Sequence, residues 1–61
     1  MIRKGELLEI KEDNATVYLP DLEIMIQDVK ISKQLYNYLS INDTVIVALL
    51  DKKTTIMIGV I

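Results

Sequence analysis

Two apolar runs near the end of the sequence constrain this chain more than any other feature. Residues 44–50 read TVIVALL and residues 55–61 read TIMIGVI, with only Asp51-Lys52-Lys53-Thr54 between them. Two β-rich runs joined by a short polar turn predict a hairpin. If Val45, Val47 and Leu49 face a core, then Ile46, Ala48 and Leu50 face away from it. In the second run Thr55, Met57, Gly59 and Ile61 oppose Ile56, Ile58 and Val60. A strand with one wet face alternates apolar and polar residues. Neither run does, so this hairpin needs cover on both faces.

The chain is too small to supply all of that cover. Its 61 residues amount to one domain, and a chain of that size buries only about 60% of the surface its unfolded form exposes. Half of its residues are apolar, ten of them Ile, eight Leu and five Val. Cysteine is absent, so no disulfide staples the fold, and histidine, the commonest metal ligand, is absent too. Small domains without staples often gain stability by oligomerising. A net charge of −2 offers no basic field for nucleic acid or anionic lipid. The first apolar segment is interrupted by Glu6 and Glu9, unlike a secretory signal. No run approaches the roughly 18 apolar residues of a membrane span, so the expectation is no membrane insertion. Asn14-Ala15-Thr16 and Asn42-Asp43-Thr44 fit the glycosylation pattern but read as turn residues here.

In chain order, residues 2–11 read as a first strand, with Gly5 marking a bulge or sharp bend. Leu7 and Leu8 are expected on opposite faces, with Ile10 on the Leu8 side. Glu12-Asp13-Asn14 is a turn in which Asn14 tolerates the left-handed conformation. Residues 15–19 form a second strand, Ala15, Val17 and Leu19 inward and Thr16 and Tyr18 outward, ended by Pro20, which cannot donate to a ladder. Asp21 can hold the corner by accepting a backbone N–H. A third strand spans 23–29, with Ile24, Ile26 and Asp28 opposite Met25, Gln27 and Val29. Ile31, Leu35, Tyr38 and Leu39 then follow helical spacing, predicting two turns over 31–39 capped by Ser32. Ser40 to Asp43 turn the chain into the terminal hairpin. The order β-β-β-α-β-β predicts an all-β fold: a five-stranded Greek-key barrel of OB type with one short helix between strands three and four. An SH3-like barrel is the alternative.

Little in the sequence points to chemistry. A Ser or Cys nucleophile needs a base such as His, and Ser32 and Ser40 sit at a helix start and a turn. Glu9, Glu12 and Asp13 could in principle hold Ca²⁺ or Mg²⁺, but with Lys11 among them they read as surface charge. Only Gly5 and Gly59 are available, too few for a phosphate loop. No catalytic residue, metal site or cofactor is expected. Single strands of nucleic acid stack on aromatics in basic grooves. Here the aromatics are Tyr18, on an outer face, and Tyr36 and Tyr38, expected to pack from the helix, and the basic residues are scattered. What remains is the apolar surplus, which on a small protein marks an interaction surface. The residues expected to form it are Ile46, Leu50, Ile56, Ile58 and Val60, with Leu22 at the corner.

Three segments carry a resemblance to a known family. Gly5-Glu6-Leu7-Leu8-Glu9-Ile10, followed after a turn by Ala15-Thr16-Val17-Tyr18-Leu19-Pro20-Asp21-Leu22, resembles the opening of the OB domain of phage baseplate spike (baseplate assembly protein V) proteins. Asn42-Asp43-Thr44-Val45-Ile46-Val47 is similar to that domain's Gly-Asp turn and hydrophobic strand, with Asn42 in place of Gly. Met57-Ile58-Gly59-Val60-Ile61 is similar to its last strand. The family's mid-domain tryptophan and the histidines of its tip iron site have no counterpart here. The resemblance implies a minimal module, a spike or hub adaptor or tail-completion protein. Its partners would be copies of itself, a trimer in that family, and other tail or baseplate proteins. Its place would be a virion or tailocin particle assembled in the bacterial cytoplasm. The competing expectations are a single-stranded nucleic-acid-binding OB protein and a scaffold domain of a membrane-associated complex.

Overall fold

A computed structural model describes residues 1–61. Five strands, β1 (Ile2–Lys11), β2 (Asn14–Leu19), β3 (Ile24–Ile31), β4 (Thr44–Leu49) and β5 (Thr55–Val60), close into a barrel in the order β1-β2-β3-β5-β4. One short helix, α1 (Lys33–Tyr36), joins β3 to β4. The β3–β5 pair is parallel and the others are antiparallel. That order and that helix make the barrel of OB type. The first strand serves two neighbours, pairing with β4 through residues 2–6 and with β2 through residues 6–11.

Leu7, Ala15, Val17, Leu19, Val29, Ile31, Val45, Val47 and Met57 fill the interior. β2 and β4 alternate as expected: Ala15, Val17, Leu19, Val45 and Val47 are buried and Leu49 packs against them. The other three strands each contain a bulge, which adds a residue to one strand and so changes which face the following residues take. In β1, Leu7 pairs with Val17 and Glu9 with Thr16, leaving Leu8 unpaired and exposed. Ile10 therefore packs on the core beside Leu7, not on the Leu8 side as expected. In β3, Ala15 opposes Val29 and Val17 opposes Ile26, so the Gln27–Asp28 step holds the extra residue, with Asp28 at φ 60°. Val29 thereby joins Ile26 on the core side, and the third strand begins at Ile24 and runs on through Ile31. In β5, Ile46 pairs with Gly59 and Val47 with Met57, so Ile58 is the extra residue.

Gly5 is not at a bulge. It is buried where β1 crosses closely over β2: a Cβ there would overlap Val17 Cγ1 and lie 2.9 Å from Leu19 Cδ2 and 3.0 Å from the Tyr18 carbonyl oxygen. The left-handed residue of the first turn is Glu12 (φ 56°), since Asn14 already belongs to β2. The corner after Leu19 is closed by backbone bonds, Leu22 N–H to the Leu19 carbonyl and Glu23 N–H to the Pro20 carbonyl, without the Asp21 carboxylate.

The helix is one turn, not two. Ile31 is drawn into β3, where it pairs with Met57 and is buried. Ser32 caps the turn, its hydroxyl accepting from Leu35 N–H. Leu35 and Leu39 pack on the barrel, but Tyr38 is 76% exposed and does not share their face. In the next turn Ser40 N–H donates to Asp43 Oδ2 at 2.8 Å, and Asp43 N–H donates to the Ser40 carbonyl. Asn42 takes φ 77° there, a conformation that Gly and Asn adopt at low cost. The turn is tied to β1 by Asn42 N–H to the Leu7 carbonyl and Leu7 N–H to the Asp43 carbonyl.

Candidate functional site

Directly paired residues in adjacent strands put their side chains on the same face of the sheet, so the ladder registers define the barrel's outer wall. Lys30 pairs with Ile56, Ile56 with Ala48, and Ala48 with Ile2, a row running across four strands. The next row outward is Gly59, Ile46 and Lys4. These positions oppose the buried Val45, Val47 and Met57 along β4 and β5, so they face away from the core. Ile2 is 65% exposed and the bulged Ile58 is 49% exposed, while Ile46, Ala48 and Ile56 are half-buried by their neighbours. Leu50, at the end of β4, is exposed. The result is a continuous apolar surface over β1, β4 and β5.

Of the residues expected to form an interaction surface, Ile46 and Ile56 are at its centre and Ile58 and Leu50 at its margins. Val60 is not on it. The Ile58 bulge turns Val60 inward to pair with Val45 and pack on the core. Leu22 is at the corner between β2 and β3, well separated in the sheet order from β4, and is partly exposed. Ala48, which the strand period already turned outward, lies at the centre of the surface, and Ile2, which no period singled out, belongs to it as well. The signal for Ile2 is long-range, because only pairing with Ala48 makes it the neighbour of Ile56.

Two concavities lie elsewhere. A cleft of about 420 Å³ over the β3 bulge is lined by Glu9, Lys11, Glu12, Thr16, Gln27 and Asp28, among others. Glu9 and Glu12 thus share one surface, with Lys11 among them. No group of three or more His, Cys, Asp or Glu side chains converges to hold a metal ion. A smaller groove, about 200 Å³, lies between the first turn and α1, lined by Asp13, Ile31, Lys33, Tyr36 and Asn37. The larger cleft lacks the mostly apolar lining typical of small-molecule sites. Ser32 and Ser40 are engaged as a cap and a turn. Tyr18 is half-buried on the outer face of β2 and Tyr36 and Tyr38 are exposed around α1, so the three do not line one strand face.

Asp51 has a structural role. Asp51 Oδ1 accepts from Lys53 N–H at 2.7 Å and Thr54 N–H at 2.8 Å, organising the β4–β5 turn. These bonds, the one from Lys53 foremost, hold its carboxyl below the ordinary aspartate range. Comparison with protein-family models, with curated proteins and with solved structures returned no match.

Proposed function

We propose that this chain is a structural module of a phage tail, baseplate or tailocin and acts by oligomeric assembly. The observation that carries the reading is the outward apolar surface of Ile2, Ile46, Ala48 and Ile56, which remains after the barrel has filled its own interior. Burying one more Ile or Leu at an interface contributes about 1.5–3 kcal/mol, so a few such residues suffice to offset the cost of association. A standard interface takes about 800 Å² from each partner, close to a fifth of this chain's 4415 Å². The tail-particle context rests on the motif resemblance at residues 5–22, 42–47 and 57–61.

Solution mass by light scattering or sedimentation tests the assembly. The wild type is expected to exceed the monomer mass, and Ile58→Asp to reduce it while the circular dichroism stays that of the folded barrel. A monodisperse, heat-stable monomer at micromolar concentration would sink the reading. Mass spectrometry of purified tail particles from the chain's own host tests the context; tail particles lacking the chain would overturn that part.

A further inference from the structure

The barrel closes between β3 and β5 over a short length only. β3 has eight residues, yet its register with β5 covers just Lys30 and Ile31, against Ile56 and Met57. Ile24, Met25 and Ile26 pair with Leu19, Tyr18 and Val17 of β2 and have no strand partner on the other side. No turn or loop donates or accepts a backbone hydrogen bond at residues 24–28. In an antiparallel ladder the closely and widely spaced bonds alternate, so every second residue directs its N–H and C=O away from the paired neighbour. The first half of β3 therefore presents unpaired backbone donors and acceptors along an open edge.

The side chains along this edge are uncovered on both faces of the sheet. Ile24 shares the inner face with its partner Leu19, which is fully buried, yet Ile24 is 43% exposed because no strand beside it completes the wall. Met25, on the outer face with Tyr18, is 56% exposed. The run from Ile24 to Gln27 lies between two residues of left-handed conformation, Glu23 (φ 54°) and Asp28 (φ 60°). At roughly 3.3 Å per residue it offers about 13 Å of extended backbone. Open edges are ordinarily protected by Lys or Pro, and Ile24-Met25-Ile26-Gln27 contains neither and carries no charge. Lys30, the one cation of β3, belongs to the half that β5 closes.

From this edge we infer that the barrel takes up an extended segment of a different protein as an added strand beside Ile24–Gln27. The backbone ladder supplies the recognition, and alternate apolar side chains of the added strand cover Ile24 on the inner face and Met25 on the outer. A second copy of this chain suits the edge poorly. A two-fold antiparallel contact of the edge with itself, centred on Met25 or on Ile26, brings Glu23 of each copy within one residue of Asp28 of the other, and juxtaposed like charges are unfavourable. A segment that is apolar at alternate positions and basic at its ends sets opposite charges there instead. The inference goes beyond the assembly reading and uses none of the surface over β4 and β5.

Amide NMR and hydrogen exchange with a synthetic peptide test this. The peptide alternates valine and threonine and carries a lysine at each end. It is added to the wild type and to Ile58→Asp, so that the result does not depend on assembly through the β4–β5 surface. In both proteins the amide signals of residues 24–27 are expected to shift and their exchange to slow. Two further peptides are N-methylated at alternate amides, one in each phase. One is expected to lose binding and the other to keep it, because only every second N–H of an added strand faces the edge. Replacing the terminal lysines by glutamates is expected to weaken binding. Shifts confined to other strands, or equal behaviour of the two methylated peptides, overturn the added strand. Glutamate-ended peptide binding as well as the lysine-ended one overturns the basic partner. Amides at 24–27 that are protected without peptide in the assembled wild type and exchange freely in Ile58→Asp show a second copy in the edge and overturn the different partner. Peptide binding by a wild type that is monomeric at every concentration upholds the inference while the assembly reading fails.

Discussion

Gly5→Ala probes the tightest point of the barrel. The glycine does not have a positive φ, so alanine meets no backbone penalty and the substitution tests packing alone. The new Cβ would overlap Val17 Cγ1 and crowd Leu19 Cδ2 at 2.9 Å and the Tyr18 carbonyl oxygen at 3.0 Å. Val17 and Leu19 are fully buried, and the third contact is backbone, so no flexible surface group can yield. Overpacking of this kind costs about 1–3 kcal/mol. Reduced freedom of the unfolded chain returns about 0.4–1 kcal/mol. The net loss is then about 1–2 kcal/mol, a large share of the roughly 3–9 kcal/mol available to a chain of this length. Thermal unfolding followed by circular dichroism should show a fall of roughly 4–16 °C at the 4–8 °C per kcal/mol of small domains. Adding Val17→Ala removes the worst overlap, so the double variant should lose less than the sum of the single losses. A Gly5→Ala protein as stable as the wild type would refute the close crossing of β1 over β2.

Four further outcomes follow from the same packing and hydrogen bonds. Leu19→Ala empties a fully buried site at the end of β2 and should cost about 2–5 kcal/mol in urea unfolding, enough to leave the domain largely unfolded. Glu12→Gly relieves a non-glycine residue at φ 56°, where the strain of about 1–2 kcal/mol exceeds the entropic cost of glycine, about 0.5–1 kcal/mol; its unfolding midpoint should rise, whereas Glu12→Val should lower it. Asp51 has a lowered folded pKa, so the stability it contributes is present above the ordinary aspartate pKa and is lost as pH falls through that range towards the folded value. A carboxyl NMR titration should place Asp51 below the ordinary aspartate value, and Asp51→Asn should remove its part of the acid dependence. Titration with single-stranded DNA at low salt should give no tight binding, given the charge balance; micromolar affinity abolished by Tyr18→Ala would place the protein in a different functional class.

Much of the barrel was legible in the residues. Pro20 ended β2, Ser32 capped α1, and the clean alternation of Ala15-Val17-Leu19 and Val45-Val47-Leu49 set the inner faces of β2 and β4. An excess of apolar residues over what 61 residues can enclose was legible too, and with it the expectation of an apolar outer surface. The helix was overextended because Ile31, Leu35, Tyr38 and Leu39 fit its period. β5 offered Ile31 a paired and buried place at the end of β3, and a tertiary partner outweighs a local pattern.

The sequence by itself determined that there are five strands, their order along the chain, and two strands whose faces alternate without interruption. Only the tertiary structure decided the faces of the other three. Closing five short strands into a narrow barrel bends them, and the bends are taken up at Leu8, at Gln27–Asp28 and at Ile58, where two residues of one strand oppose one of its neighbour. A bulge is a relation between two strands, so no period within one strand announces it. Each one shifts the alternation by a residue: Ile10, Val29 and Val60 turn inward, and Leu8 and Ile58 are left outside. The Ile58 shift decides which residues of β5 join the outer wall that an assembly would use.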